Sequence, residues 1–545
     1  MRIAMGQIDP FVGDFEGNTK KICECIEKAK QHRCDLVVFP EMAILGYPPR
    51  DLLDKQGFVP DSIRYWEKIR LASSGIGVIF GVVSRNELSG KPYHNTALFY
   101  EDGKLLASAH KMLLPSYDVF DEERYFEPGT EAVWVEFRGR KIGLTVCEDI
   151  WNVTDYLPRP LYHCDPVCEL QKSSVDILIN ISASPYHLRK VDRVGRLLRT
   201  HARQLNAHIV YVNQVGGNDE LIFQGHSMVW DPSGSLVASG ADFREDFVVY
   251  DTETGKGDFH AGNLDAPSEV IGALTLGLRD YANKCCFTKA VIGLSGGVDS
   301  ALTACLAVLA LGAENVLGIG MPGPYNAPES LADARELAQN LGIDFEVVSI
   351  GNMFETALQS LKPVFNDLPS DFTEENLQAR LRGMVLMSIS NKFRRILLST
   401  GNKSEIAVGY CTLYGDMNGG LAVLGDVPKT MVYELAHRLN VDHNWIPQNT
   451  LTRAPSAELR PNQTDQDTLP PYEVLDSILA AFVEQRLPAH EIVAQGHNPE
   501  IVKWVIRRIE FNEYKRWQAP PILKVTTKAF GIGRRNPIAQ GYVEN

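Results

Sequence analysis

The chain has 545 residues, 44% of them hydrophobic and 22% charged, and carries a formal net charge of −14. That length exceeds what one hydrophobic core organises, so two domains are expected, and the composition excludes extensive disorder. The acidity disfavours nucleic acid as a partner, and the longest apolar run, Ala301 to Ala313 with Thr303 inside it, is too short for a membrane span of about 20 residues.

Met1 to Pro10 alternates apolar residues without a basic n-region, which reads as a first strand and not a signal peptide, so a cytoplasmic protein is expected. Ten irregularly spaced cysteines do not form the framework of a small secreted domain and are expected to be mostly reduced. Short apolar runs follow at Leu36 to Phe39, Val78 to Val83, Ile142 to Val146, Ile177 to Ile181 and Ile209 to Val212. Separated by helical stretches and turns, they predict a layered, strand-rich α/β domain.

Three chemically useful side chains end β-rich segments of this domain: Glu41 in VVFPEM, Lys111 in HKMLLPSY and Cys147 in TVCEDIW. A thiol attacking an amide needs a base for its proton, a cation or donors for the oxyanion, and a proton for the departing amine. In this order and context the three strings resemble the nitrilase, or carbon-nitrogen hydrolase, family in its glutamine-using branch, over about Met1 to Asp251. The resemblance implies an α-β-β-α fold in which Glu41 deprotonates Cys147 and Lys111 stabilises the oxyanion. It also implies a thioester whose hydrolysis returns glutamate, with Tyr117, Ser184 and Lys190 holding glutamine. Tyr156 to Gln171 differs from many relatives, and its His163, Cys164 and Cys168 invite a zinc reading. No second ligand pair has the spacing of a structural zinc site, so an insertion near the glutaminase mouth is expected.

Asp251 to Ser268 is polar, rich in turn formers and aperiodic. It predicts a first domain over 1–251, a linker over 252–268 and a second domain over 269–545. Beyond it, strands at Ala290 to Gly293, Val316 to Ile319, Phe345 to Ile350 and Ile396 to Ser399 alternate with helical patterns at Val298 to Leu311, Leu331 to Leu341 and Asn376 to Phe393. A doubly wound parallel sheet is expected.

The string AVIGLSGGVDS places a glycine-rich turn between the first of these strands and a helix. Gly296 and Gly297 allow close backbone approach, and free amides at the helix start, with the Ser295 and Ser300 hydroxyls, can hold phosphate oxygens. A Walker A loop would carry lysine where this chain has Asp299, whose carboxylate needs a bridging cation beside phosphate; Mg2+ is therefore expected between Asp299 and the nucleotide. SGGVDS resembles the loop of ATP pyrophosphatases, which adenylate a substrate and release pyrophosphate. Further on, TEENLQARLRG, STGNKSEIAVGYCTLYGDMNGG, DVPKT, APSAELRPNQTDQ and NEYKRWQAPP together resemble NAD synthetases across nearly the whole second module.

Carried over position by position, this resemblance implies an ATP site formed by Gly293, Leu294, Ser295, Gly296, Gly297, Val298, Asp299, Ser300, Thr400, Lys429 and Ser456. Asp299 and Glu405 would share the Mg2+ ion, and Asn376, Arg380, Glu405 and Lys515 would hold deamido-NAD. Arg380, Arg382, Lys403, Lys429, Arg453, Arg460, Lys515 and Arg516 supply local positive charge for two anionic substrates. Two departures stand out. MPGPYNAPES replaces a serine-rich stretch, where Asn326 can still donate to phosphate and Ala327 cannot, and Leu413 and Gly420 replace a lysine and an aspartate of ammonia-dependent relatives. The two modules together imply ATP- and glutamine-dependent amidation of deamido-NAD to NAD, giving AMP, pyrophosphate and glutamate, by a homo-oligomer paired through the second module. Two rivals remain: the same chemistry on another acceptor, or a free-standing amidase with a nucleotide-sensing module.

Overall fold

The computed structural model describes residues 1–153, 159–366 and 368–542, and divides into two compact units, Met1–Asn263 and Leu264–Asn545. In the first unit, seven strands form one sheet in the order Lys256–Gly257, Asp246–Asp251, Arg2–Gln7, Leu36–Val38, Gly77–Arg85, Tyr93–Glu101 and Lys104–His110. Six more form a second sheet in the order Leu236–Ser239, Met228–Trp230, His208–Asn213, Ile177–Ser182, Arg140–Val146 and Val133–Phe137. Side chains alternate across each strand, so both faces of these sheets must be covered. Leu36 and Val38 join Ile3, Met5, Ile142, Val146 and Ile179 in a core between the sheets. Val37 turns the other way, into a layer with Ile22 and Ile26 of the Phe15–Gln31 helix and Val59 and Ile69 of the Phe58–Ala72 helix. The Pro166–Lys172 and Lys190–Leu205 helices cover the second sheet in the same way. The four layers are α-β-β-α, and burial on both faces explains why Leu36 to Phe39 is apolar without interruption.

The second unit holds a five-stranded parallel sheet in the order Asp344–Val347, Val316–Gly320, Ala290–Gly293, Ile396–Ser399 and Leu421–Ala422. Chain connections leave the Ala290–Gly293 strand in one direction and resume on its other side at Ile396–Ser399. Its C-terminal end is therefore the topological switch point, where a doubly wound sheet opens a crevice. The third strand, Asp344–Val347, ends short of the expected Ile350, and the Gly351–Phe365 helix follows. The segment expected as a linker is partly structured: Lys256–Gly257 pairs with Tyr250 and Asp251, and the Ala266–Lys284 helix starts behind an Asp265 cap. Among the described residues no helix is long and apolar enough to cross a membrane.

Candidate active sites of the two units

Glu41, Lys111 and Cys147 each lie just beyond the C-terminal end of a strand, Leu36–Val38, Lys104–His110 and Arg140–Val146. All three are buried. Cys147 has φ +44°, a left-handed conformation that a side chain holds only where its surroundings fix it. Asp149 does that fixing: one carboxylate oxygen accepts from the Val146 amide at 2.9 Å, and the other accepts from the Met112 and Leu113 amides, each at 2.9 Å. The thiol turn is thereby tied to the segment that carries Lys111.

Lys111 Nζ donates to Glu41 Oε1 at 3.0 Å and to Glu122 Oε1 at 2.8 Å. Glu41 is also held by the Asn95 amide at 2.5 Å and by the Ala183 backbone N–H at 2.8 Å. Burial alone would depress the Lys111 ammonium, but the Glu122 and Glu41 carboxylates keep it well above its ordinary value. Burial and the negative charge of Glu41 push the Cys147 thiol up, against the pull of Lys111. The resting sulfur is therefore a thiol beside a carboxylate and a fixed ammonium, an arrangement able to attack an amide once the carboxylate takes its proton.

Glu122 escaped sequence reasoning. It sits in a short 3-10 turn, Glu122–Arg124, whose sequence DEERYF looks like any solvated acidic stretch. Folding buries it against Lys111 and the Tyr47 hydroxyl, which donates at 2.8 Å. Desolvation raises its carboxyl to about 7, against Lys111 and together with Glu41. Glu122→Gln removes one of the two anions that balance Lys111. The expected result is a fall of about 10²-fold in kcat for glutamine hydrolysis, with KM changed less than about threefold. A variant with unchanged kcat would show that Glu122 is only packing.

Two of the three glutamine candidates meet around another carboxylate that sequence reasoning passed over, Glu148. The Tyr117 hydroxyl donates to it at 2.9 Å, and the charge of Lys190 reaches it while the Lys190 ammonium donates to Pro185 O at 2.6 Å. Ser184, also buried, is positioned through its backbone N–H on Asn213 Oδ1 at 2.9 Å. The expected insertion reaches the same place, since the Tyr162 hydroxyl donates to Glu148 at 2.9 Å. Residues 156–158 of that stretch lie outside the described residues. Cys168 donates its thiol to Asp165 at 3.0 Å, and Asp165 caps the Pro166–Lys172 helix.

In the second unit the run Gly293 to Ser300 lines a cavity of about 300 Å³ at the switch point, together with Thr400, Glu405, Lys429 and Ser456. Gly296 has φ +82°, and a Cβ there would stand 2.3 Å from the Ser330 carbonyl oxygen, so only glycine fits. The Ser300 hydroxyl donates to Gly297 O at 3.0 Å and accepts from the Ser295 amide at 3.2 Å, which closes the loop over the start of the Val298–Leu311 helix. Asp299 accepts from Asn402 at 2.9 Å and from Lys429 Nζ at 2.5 Å, and Glu405 stands 3.8 Å from the same ammonium. Burial and the charge of Asp299 raise the Glu405 carboxyl to about 8. Asp465, which sequence reasoning did not single out, lines the same cavity and accepts from the Tyr472 hydroxyl at 2.7 Å.

Asn376, Arg380 and Lys515 do not line that cavity. They converge on one backbone loop beside it: Asn376 accepts from Thr412 Oγ1 at 2.8 Å, Arg380 donates to Leu413 O at 3.2 Å, and Lys515 donates to Gly409 O and Cys411 O at 2.7 and 2.8 Å. Thr412 is itself part of the cavity wall.

Residues 2–254 match the carbon-nitrogen hydrolase family and residues 270–519 match NAD synthase. A glutamine-dependent NAD(+) synthetase of Synechocystis sp. is 44% identical over 551 residues, covering 99% of each chain, and one of Thermotoga maritima is 41% identical over 100% of this chain and 99% of its own. The chain belongs to the glutamine-dependent NAD(+) synthetase family. A solved structure of the glutamine-dependent NAD+ synthetase of Acinetobacter baumannii in complex with ADP has TM-score 0.78 and 39% identity, covering 100% of this chain and 99% of that one. The enzyme of Cytophaga hutchinsonii, at 21% identity and TM-score 0.85 over 99% of this chain and 98% of that one, shares the fold.

Within the NAD synthetase unit, the positive residues divide into two groups. Arg382, Lys429 and Arg453 line the cavity. Lys403 and Arg516 do not: Lys403 is buried against Asp426 at 3.0 Å and Glu484 at 2.8 Å, and Arg516 is buried against Glu513 at 2.8 Å. Arg460 pairs with Asp467 at 3.3 Å. Lys403 and Arg516 thus serve the interior, because a buried cation is retained only where carboxylates compensate it, and Arg460 is an exposed ion pair.

Proposed function

We propose that the chain makes NAD from deamido-NAD, ATP, glutamine and water, releasing AMP, pyrophosphate and glutamate. The observation that carries the ammonia-forming half is the buried array of Glu41, Lys111 and Glu122 against left-handed Cys147. Glu41 accepts the Cys147 proton as sulfur attacks the side-chain carboxamide carbon of glutamine, and the Lys111 ammonium stabilises the oxyanion. Glu41 returns the proton to the departing nitrogen, ammonia leaves, and water attacks the thioester with Glu41 again as base, which frees glutamate and the Cys147 thiol. Tyr117, Ser184 and Lys190 hold the glutamine, with Glu148 and Tyr162 completing that end of the site.

At the second site the carboxylate of deamido-NAD attacks the α-phosphorus of ATP, pyrophosphate leaves, and ammonia displaces AMP from the adenylate. Ser295, the glycine amides and Ser300 cradle phosphate, while Thr400, Ser456 and Lys429 complete the ATP contacts. Asn376, Arg380, Glu405 and Lys515 serve deamido-NAD, the first two and Lys515 through the loop that carries Thr412. Asp299 and Glu405 fit a Mg2+ ion, since both stand within 3.8 Å of a single ammonium, and burial together with the charge of Asp299 raises the Glu405 carboxyl. Both are hard oxygen donors of the kind Mg2+ takes alongside substrate phosphates. The ion supplies neutralisation of phosphate charge when bound. The reading extends to a cytoplasmic homo-oligomer.

The acceptor is tested by AMP release with ammonium as nitrogen source. Deamido-NAD is expected to support release at least about 10³-fold faster, by kcat/KM, than xanthosine monophosphate. Equal rates, or no release with deamido-NAD, would overturn the assignment.

A further inference from the structure

Asn95 touches all three charged members of the buried array in the first unit. It lies in the Tyr93–Glu101 strand and is fully buried. Its side-chain NH2 donates to Glu41 Oε1 at 2.5 Å and reaches Glu122 Oε2 at 3.5 Å, while its backbone carbonyl accepts from the Lys111 N–H at 2.8 Å. The amide and the Lys111 ammonium therefore bridge the same two carboxylates by separate routes. Only the ammonium brings charge.

The two bridges differ in what they can fix. An ammonium on a flexible stem carries three rotatable donors and sets distance, whereas a planar amide donates in set directions. The backbone beneath Glu41 is already fixed, because it passes over Gly81, where a Cβ would stand 2.6 Å from Glu41 Cα. What is left free is the turn of the carboxylate. Asn95 holds one oxygen from the first sheet, and the Ala183 N–H, just beyond the Ile177–Ser182 strand of the second sheet, holds the other at 2.8 Å. Two carboxylates face one end of the amide, so that end must be the NH2. Packing alone gives no reason for an amide here, since Oδ1 is buried and no described residue donates to it.

We infer that Asn95 is a positioning residue for glutamine hydrolysis: its amide sets the direction of the Glu41 carboxylate and keeps it set when the Lys111 ammonium turns to the oxyanion. The inference rests on the reaction proposed above at Cys147. Glu122 then has two partners with different tasks, a cation that balances its charge and a neutral donor that ties it to the base.

The test compares Asn95→Ala and Asn95→Leu with the parent, all as full chains, by following glutamate release from glutamine across pH. Neither variant has the donor, and leucine refills the volume that alanine empties. Both are expected to lose about 30-fold in kcat with KM within about threefold of the parent. The acid limb of kcat/KM against pH should move up by about one pH unit in both, because carboxylates that lose a shared donor hold a proton to higher pH. The other titratable groups facing the pair, Lys111, Tyr47 and Cys147, are the same in all three chains. Recovery of kcat in Asn95→Leu to within about threefold of the parent, or a fall in both variants with the acid limb unmoved, would make Asn95 a packing residue and overturn the role. So would loss of folding in both variants, read by thermal unfolding. No glutamate release by the parent sinks the proposed ammonia-forming half together with this inference, whereas an active parent that Asn95→Ala matches sinks the inference alone.

Discussion

With glutamine as nitrogen source, Cys147→Ala lowers NAD formation by at least about 10⁴-fold, equivalent to about 5.4 kcal/mol of activation free energy. With saturating ammonium it leaves the rate within about twofold of the parent. The asymmetry follows from what the thiol touches. Its turn is held by Asp149 and its proton can pass to Glu41, while the residues proposed for adenylation all belong to the other unit. Alanine removes the only atom that can form the thioester and leaves φ +44° no harder to hold, so the variant should fold. Coupled measurement of NAD from each nitrogen source checks the prediction. Glutamine-driven synthesis that survives the substitution would mean that Cys147 is a buried packing residue and that the first unit has been misread.

Asp299→Ala is expected to lower NAD formation by about 10³-fold, roughly 4 kcal/mol, with either nitrogen source. Asp299 lies in the first turn of the helix behind the glycine loop and accepts from both Asn402 and Lys429. Without it the Lys429 ammonium faces Glu405 alone, at 3.8 Å, and one of the two carboxylates that fit Mg2+ is gone. Charge neutralisation of the triphosphate is needed before any nitrogen arrives, which is why ammonium should not rescue this variant. Asp299→Asn, similar in shape but neutral, should fall nearly as far, and thermal unfolding separates lost function from lost fold. Ammonium-driven synthesis by Asp299→Ala within tenfold of the parent would remove the carboxylate from the adenylation step.

What could be read before folding is tied to local backbone features. Cys147, Glu41 and Lys111 end strands, and the glycine loop joins a strand to a helix; such positions announce themselves by residue type and by the periodicity around them. The carboxylates that complete the sites carry no such mark. Glu122 meets Lys111 because the Glu122–Arg124 3-10 turn folds back onto a residue 11 positions earlier, and Glu148 acquires Tyr117 and Tyr162 from segments 31 and 14 positions away. Lys403 errs in the opposite direction, since a lysine in a substrate-like motif is drawn into the core by Asp426 and Glu484.

The sequence by itself announced two units, their layered and doubly wound architectures, the three strand-end residues Cys147, Glu41 and Lys111, and the aspartate that stands where a Walker loop has lysine. The architectures follow from alternation and glycine placement, which act over a few positions, while the roles expected of Cys147, Glu41 and Lys111 are what their resemblance to the carbon-nitrogen hydrolase family implies. The tertiary structure alone decided which charges pair. Sheet register and the stacking of layers bring together side chains that the chain keeps far apart, and burial then makes each pairing obligatory, because an unpaired charge inside the protein costs more than it can return.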